Sequence, residues 1–251
     1  MGASVLLAAL ALAGNYAVQP PKWPGFLKGT VKVSGEVAAL PPLAVDKDAA
    51  TCGKEVPSDE VVLGQGGALS GALVFIEDIQ AGRELPRRQV AMELRGCRAA
   101  PPLQSATVGD EWSVGNSDQG FHQVRLVVAG VDGKPRTQQN LGIPAGAGRI
   151  KQKAAQPGWI GVLGGGLHPW MRGATRVFEH PYHGVTGSDG TFDLKEVPPG
   201  NYVVHVWHPR FGDIARPVEV RAGWVARVDV EFPAANLTPQ SQLPLTHATV
   251  P

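Results

Sequence analysis

After residue 20 no stretch of this chain sustains a helical period of apolar residues, and 32 glycines and 22 prolines cut it into short runs. Glycine serves turns that need positive φ, and proline fixes φ and removes a backbone donor. Short alternating runs between such breakers are the mark of strands, so the expected fold class is all-β. Residues 26–37 (FLKGTVKVSGEV), 69–79 (LSGALVFIEDI), 89–94, 123–129, 159–163, 173–178 and 201–208 (NYVVHVWH) read as strands. Three segments read as hairpins: 105–114 about Gly109-Asp110, 185–192 about Ser188-Asp189-Gly190, and the pair 217–221 and 224–232. In the last run Ala226, Val228, Val230 and Phe232 alternate with Arg227, Asp229 and Glu231, the period of a sheet with one wet face. Residues 130–148 read as loop, and nothing after residue 234 keeps a period.

Lysine plus arginine (23) nearly balance aspartate plus glutamate (22), for a net charge of +1. That charge leaves no footprint for nucleic acid and no basic block for an anionic membrane. Residues 1–17 (MGASVLLAALALAGNYA) are expected to be a signal segment. The apolar run 5–13 is too short to span a bilayer and is followed by small residues suited to cleavage, although the first basic residue is Lys22. The mature chain is therefore expected to lack a transmembrane helix and to be periplasmic or secreted. Its two cysteines, Cys52 and Cys97, fit no CxxC or zinc spacing. In an exported chain such an even pair is expected to form a disulfide.

The chemistry concentrates in residues 161–183, GVLGGGLHPWMRGATRVFEHPYH, with His168, Met171, His180 and His183. An imidazole followed three residues later by a thioether, both in a glycine-rich loop, is a copper-like ligand pair. The plainer reading is that His168, Trp170 and Met171 pack the loop. His122 stands where the turn 116–121 enters a strand, and His180 and His183 read as surface or interdomain residues. Tyr182, Tyr202, His205 and His208 resemble the ferric Tyr/His sites of intradiol ring-cleaving dioxygenases. On a strand, however, His205 and His208 point to opposite faces, which makes an iron enzyme the remote alternative. No Ser-His-Asp order, phosphate-cradling loop or HExxH is present, and no enzymatic activity is expected.

Asn116-Ser117-Asp118 with His122, then Pro157-Gly158, then His168-Pro169-Trp170-Met171, resembles a cupredoxin domain of the plastocyanin type. The segment from His180-Pro181-Tyr182 through VTGSDGTFDLKEVPPGNYVVHVWH resembles the carboxypeptidase-regulatory-like, transthyretin-like β-sandwich. Together, over residues 26–232, the chain is similar to bacterial exported proteins described as plastocyanin-like or methylamine-utilisation-like. The resemblance implies a cupredoxin-like β-sandwich over 25–178, a small transthyretin-like β-sandwich over 179–233, and a flexible tail over 234–251. It also carries over His122, His168 and Met171 as copper ligands. The thiolate of that family's loop stands three residues before the histidine, and here that position is Gly165. Cys97 lies too early in the chain to occupy the loop. The resemblance thus implies an exported cell-envelope binding or accessory protein on a degenerate cupredoxin scaffold, without type 1 copper, acting with a protein partner or envelope assembly. The alternative is a copper carrier or electron-transfer protein using His122, His168 and Met171.

Overall fold

The structure, a computed structural model, describes residues 16–245. It is all-β apart from single helical turns such as Ala49–Cys52 and Ala234–Asn236. Two sandwiches share one chain, and one is inserted into the other.

The inserted sandwich faces a four-stranded sheet (order Arg98–Ala100, Gln89–Arg95, Glu111–Asn116, Ile150–Lys153) against a five-stranded one. The latter runs Leu103–Thr107, Arg172–Phe178, Gly158–Gly164, His122–Ala129, Pro135–Ile143. Met92, Leu94, Trp112 and Val114 from the first sheet meet Val124, Leu126, Val162 and Val177 from the second. Trp112 is fully buried, and its indole N–H donates to Thr175 Oγ1 at 2.9 Å, so the polar end of a large ring is satisfied. The five-stranded sheet is covered on its other face as well, where Val127, Ala129, Leu163 and Ala174 are buried. Cover on both faces accounts for the nearly unbroken apolar runs in 123–129 and 159–163.

The host sandwich sets the sheet His183–Val185, Leu73–Ile76, Gly200–His208, Gly212–Val220 against a sheet centred on Gly25–Ser34. That central strand pairs antiparallel with Thr191–Val197 on one side. On the other it pairs in parallel with Val225–Arg227 and then Val230–Pro233. Gly29 sits where this second partner breaks, and a Cβ there would lie 1.7 Å from the carbonyl oxygen of Val228. Only glycine allows that approach.

The chain leaves the host at Ile76, whose N–H donates to the Tyr182 carbonyl at 3.1 Å, and it returns there, with His183 pairing Phe75. A second excursion, residues 35–68, carries the ribbon Leu43–Ala44 with Glu55–Val56 onto the inserted sandwich, where Val56 is fully buried. Leu73, Phe75 and Trp207 of the host meet Leu103, Trp159 and Phe178 of the insert, and Leu243 and Leu245 join them.

Several expectations are corrected here. The C-terminal sandwich is not made by 179–233 alone, because Gly25–Ser34 and Leu73–Ile76 occupy interior positions in its sheets. The tail is not free up to residue 245. Leu245 is 1% exposed, Gln242 N–H donates to Pro209 O, and Arg210 donates to Thr238 O. None of the three hairpins is one. Leu103–Thr107 and Glu111–Asn116 lie in opposite sheets, as do His183–Val185 and Thr191–Val197, and Val225–Arg227 pairs with residue 25's strand rather than with Gly212–Val220. The turn at 107–110 is a corner held by buried Asp110, which accepts from Thr107 N–H and Arg88 N–H. Within 130–148, Pro135–Ile143 is a strand, bulged opposite Leu126 and mostly exposed at the sheet edge. Polar edge strands show no apolar alternation. Residues 1–15 of the expected signal segment lie outside the described residues, whereas Ala17 pairs with Ala81 and Tyr16 donates to Arg83 O. No helix among the described residues is long and apolar enough to cross a membrane.

Candidate metal centre

Two of the expected ligands meet. His122 opens the strand His122–Ala129, and His168 sits in the loop between Gly158–Gly164 and Arg172–Phe178. Both side chains are fully buried, and their Nδ1 atoms face each other at 3.2 Å. The turn before His122 is built by Asn116, whose amide donates to Gly120 O and Ile143 O and accepts from Asp118 N–H. The His168 loop is closed by its backbone: Gly164 N–H donates to Met171 O, and Met171 N–H to His168 O. A Cβ on Gly164 would lie 1.8 Å from His168 O, so the loop needs glycine at that position.

The outer nitrogens are each held by a carboxylate. His122 Nε2 lies 2.8 Å from Asp118 Oδ2, and His168 Nε2 lies 3.0 Å from Asp48 Oδ2. Asp118 also accepts the N–H groups of Gly96 and Cys97. Burial alone would raise its pKa, but those N–H groups and His122 hold it below the usual carboxylate range. Asp48 precedes the helical turn Ala49–Cys52 with φ 60°; its Oδ1 accepts from Thr51, leaving Oδ2 for His168. Burial pushes the His168 pKa down, and the neighbouring His122 adds to this against the pull of Asp48.

The disulfide expected of Cys52 and Cys97 is present and lies at this site. Ligand atoms of Cys52, Cys97 and His168 lie within 4.8 Å of one another, and so do those of Cys97, Asp118 and His122. Although Cys97 is early in the chain, the fold returns it to the loop, where Trp170 Nε1 donates to its carbonyl at 3.0 Å. Met171 is 1% exposed and packs in the core of the inserted sandwich. Gly165 lies against Gln123, to whose carbonyl its N–H donates. Neither Asp48 nor Asp118 is among the ligand types that the sequence pattern points to. Asp118 stands four residues before His122, a local signal in the sequence, whereas Asp48 carries none.

The remaining described histidines serve elsewhere. His180 and His208 each precede a proline, and each Nδ1 accepts the N–H two residues on, from Tyr182 at 3.2 Å and Arg210 at 3.1 Å. Burial, with nearby Arg176, pushes His180 down to about 4, and burial with Arg210 pushes His208 down to about 3. His183, at the junction of the sandwiches, lies 3.0 Å from Thr107 Oγ1, and burial holds it well below the ordinary imidazole range. His205 lies on the opposite face of its strand, paired with Asp213 and Glu77, while Tyr182 donates to Glu196 O and Tyr202 to Pro198 O. Tyr182, Tyr202, His205 and His208 thus form no common ligand set.

No protein-family model matches the chain, and no curated protein matches its sequence. Among solved structures, a purple cupredoxin from Nitrosopumilus maritimus is 19% identical over 35% of this chain and 98% of its own, with a TM-score of 0.29. A copper-containing nitrite reductase from Thermus scotoductus is 24% identical over 41% of this chain and 25% of its own, TM-score 0.29. Auracyanin B is 17% identical over 43% of this chain and 98% of its own, TM-score 0.27. Superpositions this partial carry no argument about function, which rests on the site itself.

Proposed function

We propose that this is a non-catalytic metal-binding protein of an oxidising cell-envelope compartment, holding one copper ion between Nδ1 of His122 and Nδ1 of His168. The observation that carries the reading is the 3.2 Å approach of two buried Nδ1 atoms whose Nε2 partners are both carboxylates. Three contacts in a row, carboxylate to ring, ring to ring and ring to carboxylate, need three protons as hydrogen bonds. Two neutral imidazoles carry two. With each Nε2–H donated outward, two lone pairs face each other, and a cation between them removes the repulsion. Carboxylates on the outer nitrogens are the usual support of metal-bound histidine. The separation is close to the roughly 3.3 Å edge of a tetrahedron with metal–nitrogen distances of about 2.0–2.1 Å. Among first-row divalent ions, imidazole nitrogen favours copper.

With Gly165 at the thiolate position and both cysteines in the disulfide, the oxidised protein has no thiolate to give an intense blue centre. The disulfide supports an exported location. The test is copper titration of the oxidised protein with metal analysis. One equivalent should bind, His122→Ala and His168→Ala should each abolish it, and Asp48→Asn or Asp118→Asn should weaken it about 10–100-fold. Absence of stoichiometric copper, or binding indifferent to both histidines, would refute the proposal and leave the pair a packing feature.

A further inference from the structure

We infer that reduction of the Cys52–Cys97 disulfide turns the two-imidazole site into a thiolate–imidazole site, with Cys97 as the added ligand. The inference rests on the reading of His122 and His168 as ligands. Both groupings of potential ligand atoms at the site contain Cys97, one with His168 and the other with His122. Its main chain is fixed from two sides, by Asp118 on the N–H at 2.9 Å and by Trp170 on the carbonyl at 3.0 Å. Freed from Cys52, the sulfur can turn about its own Cα–Cβ bond while the backbone stays in place. Cys97 is 1% exposed and stands in both groupings, whereas Cys52 is half-buried and is grouped with His168 alone among the histidines.

A route for the reductant exists. A surface depression lined by Thr51, Gly96, Asp118 and Gly120 opens onto both cysteines. The step balances with a dithiol as reductant. The dithiol gives up two electrons and two protons and becomes a disulfide, and the Cys52–Cys97 bond is replaced by two thiols. Metal binding then displaces the Cys97 thiol proton to solvent, as coordination of a thiol requires. A thiolate with two imidazoles is a softer donor set than the imidazoles alone, so reduction should favour soft and borderline ions such as Cu(I) and Zn(II). Metal retention would then follow the thiol redox state of the compartment, and Gly165 would not mark a lost thiolate so much as one supplied from another segment.

Co(II) is a suitable probe, because it does not oxidise thiols. Oxidised protein and protein reduced with a dithiol, then freed of it without air, are titrated with Co(II), and alkylation of each cysteine is followed by mass spectrometry. The reduced protein should show a thiolate-to-metal charge-transfer absorption saturating at one equivalent. The band should be absent from oxidised protein, absent in Cys97→Ser and His168→Ala, and kept in Cys52→Ser. Metal should slow alkylation of Cys97 in the unsubstituted protein at least tenfold, a measurement that needs no variant. If the reduced protein binds through its histidines without the band, and Cys97 alkylates equally fast with and without metal, the inference fails while the imidazole site stands. Binding in neither state overturns the inference, and the copper titration of the oxidised protein decides the imidazole site separately. Binding with the band in the reduced state alone upholds the inference, because two imidazoles hold Co(II) more weakly than copper. A chain that unfolds on reduction overturns the inference.

Discussion

Mild acid should destabilise this fold through histidines that lie outside the metal centre. His180 and His208 are buried, and their Nδ1 atoms already accept backbone N–H groups, so a proton there would break a hydrogen bond as well as bury a charge. Their folded pKa values, about 4 and about 3, lie below the unfolded value of 6.5. Below pH 6.5 the unfolded chain therefore takes up protons that the folded chain refuses, and stability falls as pH drops toward those folded values. Between pH 7 and pH 5 each residue costs about 2 kcal/mol, and the two together about 4 kcal/mol. His183 adds with the same sign. His205 runs the other way: burial opposes its charge, but Asp213 and Glu77 outweigh it and raise its pKa. Its contribution is fully present at low pH and is lost as pH rises through the folded value, so on going from pH 7 to pH 5 it grows and offsets part of the acid loss. Asp118, depressed from 3.8, stays ionised across the whole window. A loss of this size is a large part of a typical domain's stability. Urea unfolding followed by tryptophan fluorescence at pH 7 and pH 5 measures it. His180→Asn and His208→Asn keep an acceptor for the N–H two residues on, and each should restore about 2 kcal/mol at pH 5. An unfolding midpoint that does not move between the two pH values, or a double variant that tracks the parent, would refute the reasoning.

The three consecutive glycines before His168 should respond to alanine in a graded way. A Cβ at Gly164 would lie 1.8 Å from His168 O, at Gly165 3.1 Å from Gln123 O, and at Gly166 it meets nothing within 4 Å. Gly164→Ala should lower copper affinity more than tenfold and Gly166→Ala should leave it unchanged; equal affinities in a copper titration would show that the loop does not set the site. Leu245→Ala should cost about 2–5 kcal/mol in chemical denaturation, since its side chain fills the space beside Gly161 between the sandwiches. A change under about 0.5 kcal/mol, the range of surface substitutions, would mean the tail does not dock.

What was legible in the sequence was local. Strands announced themselves through alternation, as in 224–232, where Val228, Val230 and Phe232 are buried and Arg227, Asp229 and Glu231 are exposed. Sheet membership was not legible, because a hairpin and a corner use the same turn residues. Gly109-Asp110 turns the chain either way, and what makes it a corner is Arg88, a partner 22 residues distant. Pro135–Ile143 escaped because an exposed edge strand need bury nothing. At the site, the imidazoles were found because one stands at a strand entrance and the other in a glycine-rich loop, both local features. Asp48 and Cys97 arrive from segments 120 and 73 residues away from the partners they hold, and only the fold brings them there.

The insertion has a consequence for how the chain is made. Gly25–Ser34 emerges early, yet its parallel partner Val230–Pro233 follows about 200 residues later. The inserted sandwich, by contrast, draws both sheets almost entirely from residues 89–178 and can close while the C-terminal strands are still to come. Until they arrive, the early strand keeps an unpaired edge, and such edges invite pairing with other chains. Contacts this distant in sequence also close slowly. An order of assembly is thereby built into the topology: the module bearing the histidines first, and the host sandwich last.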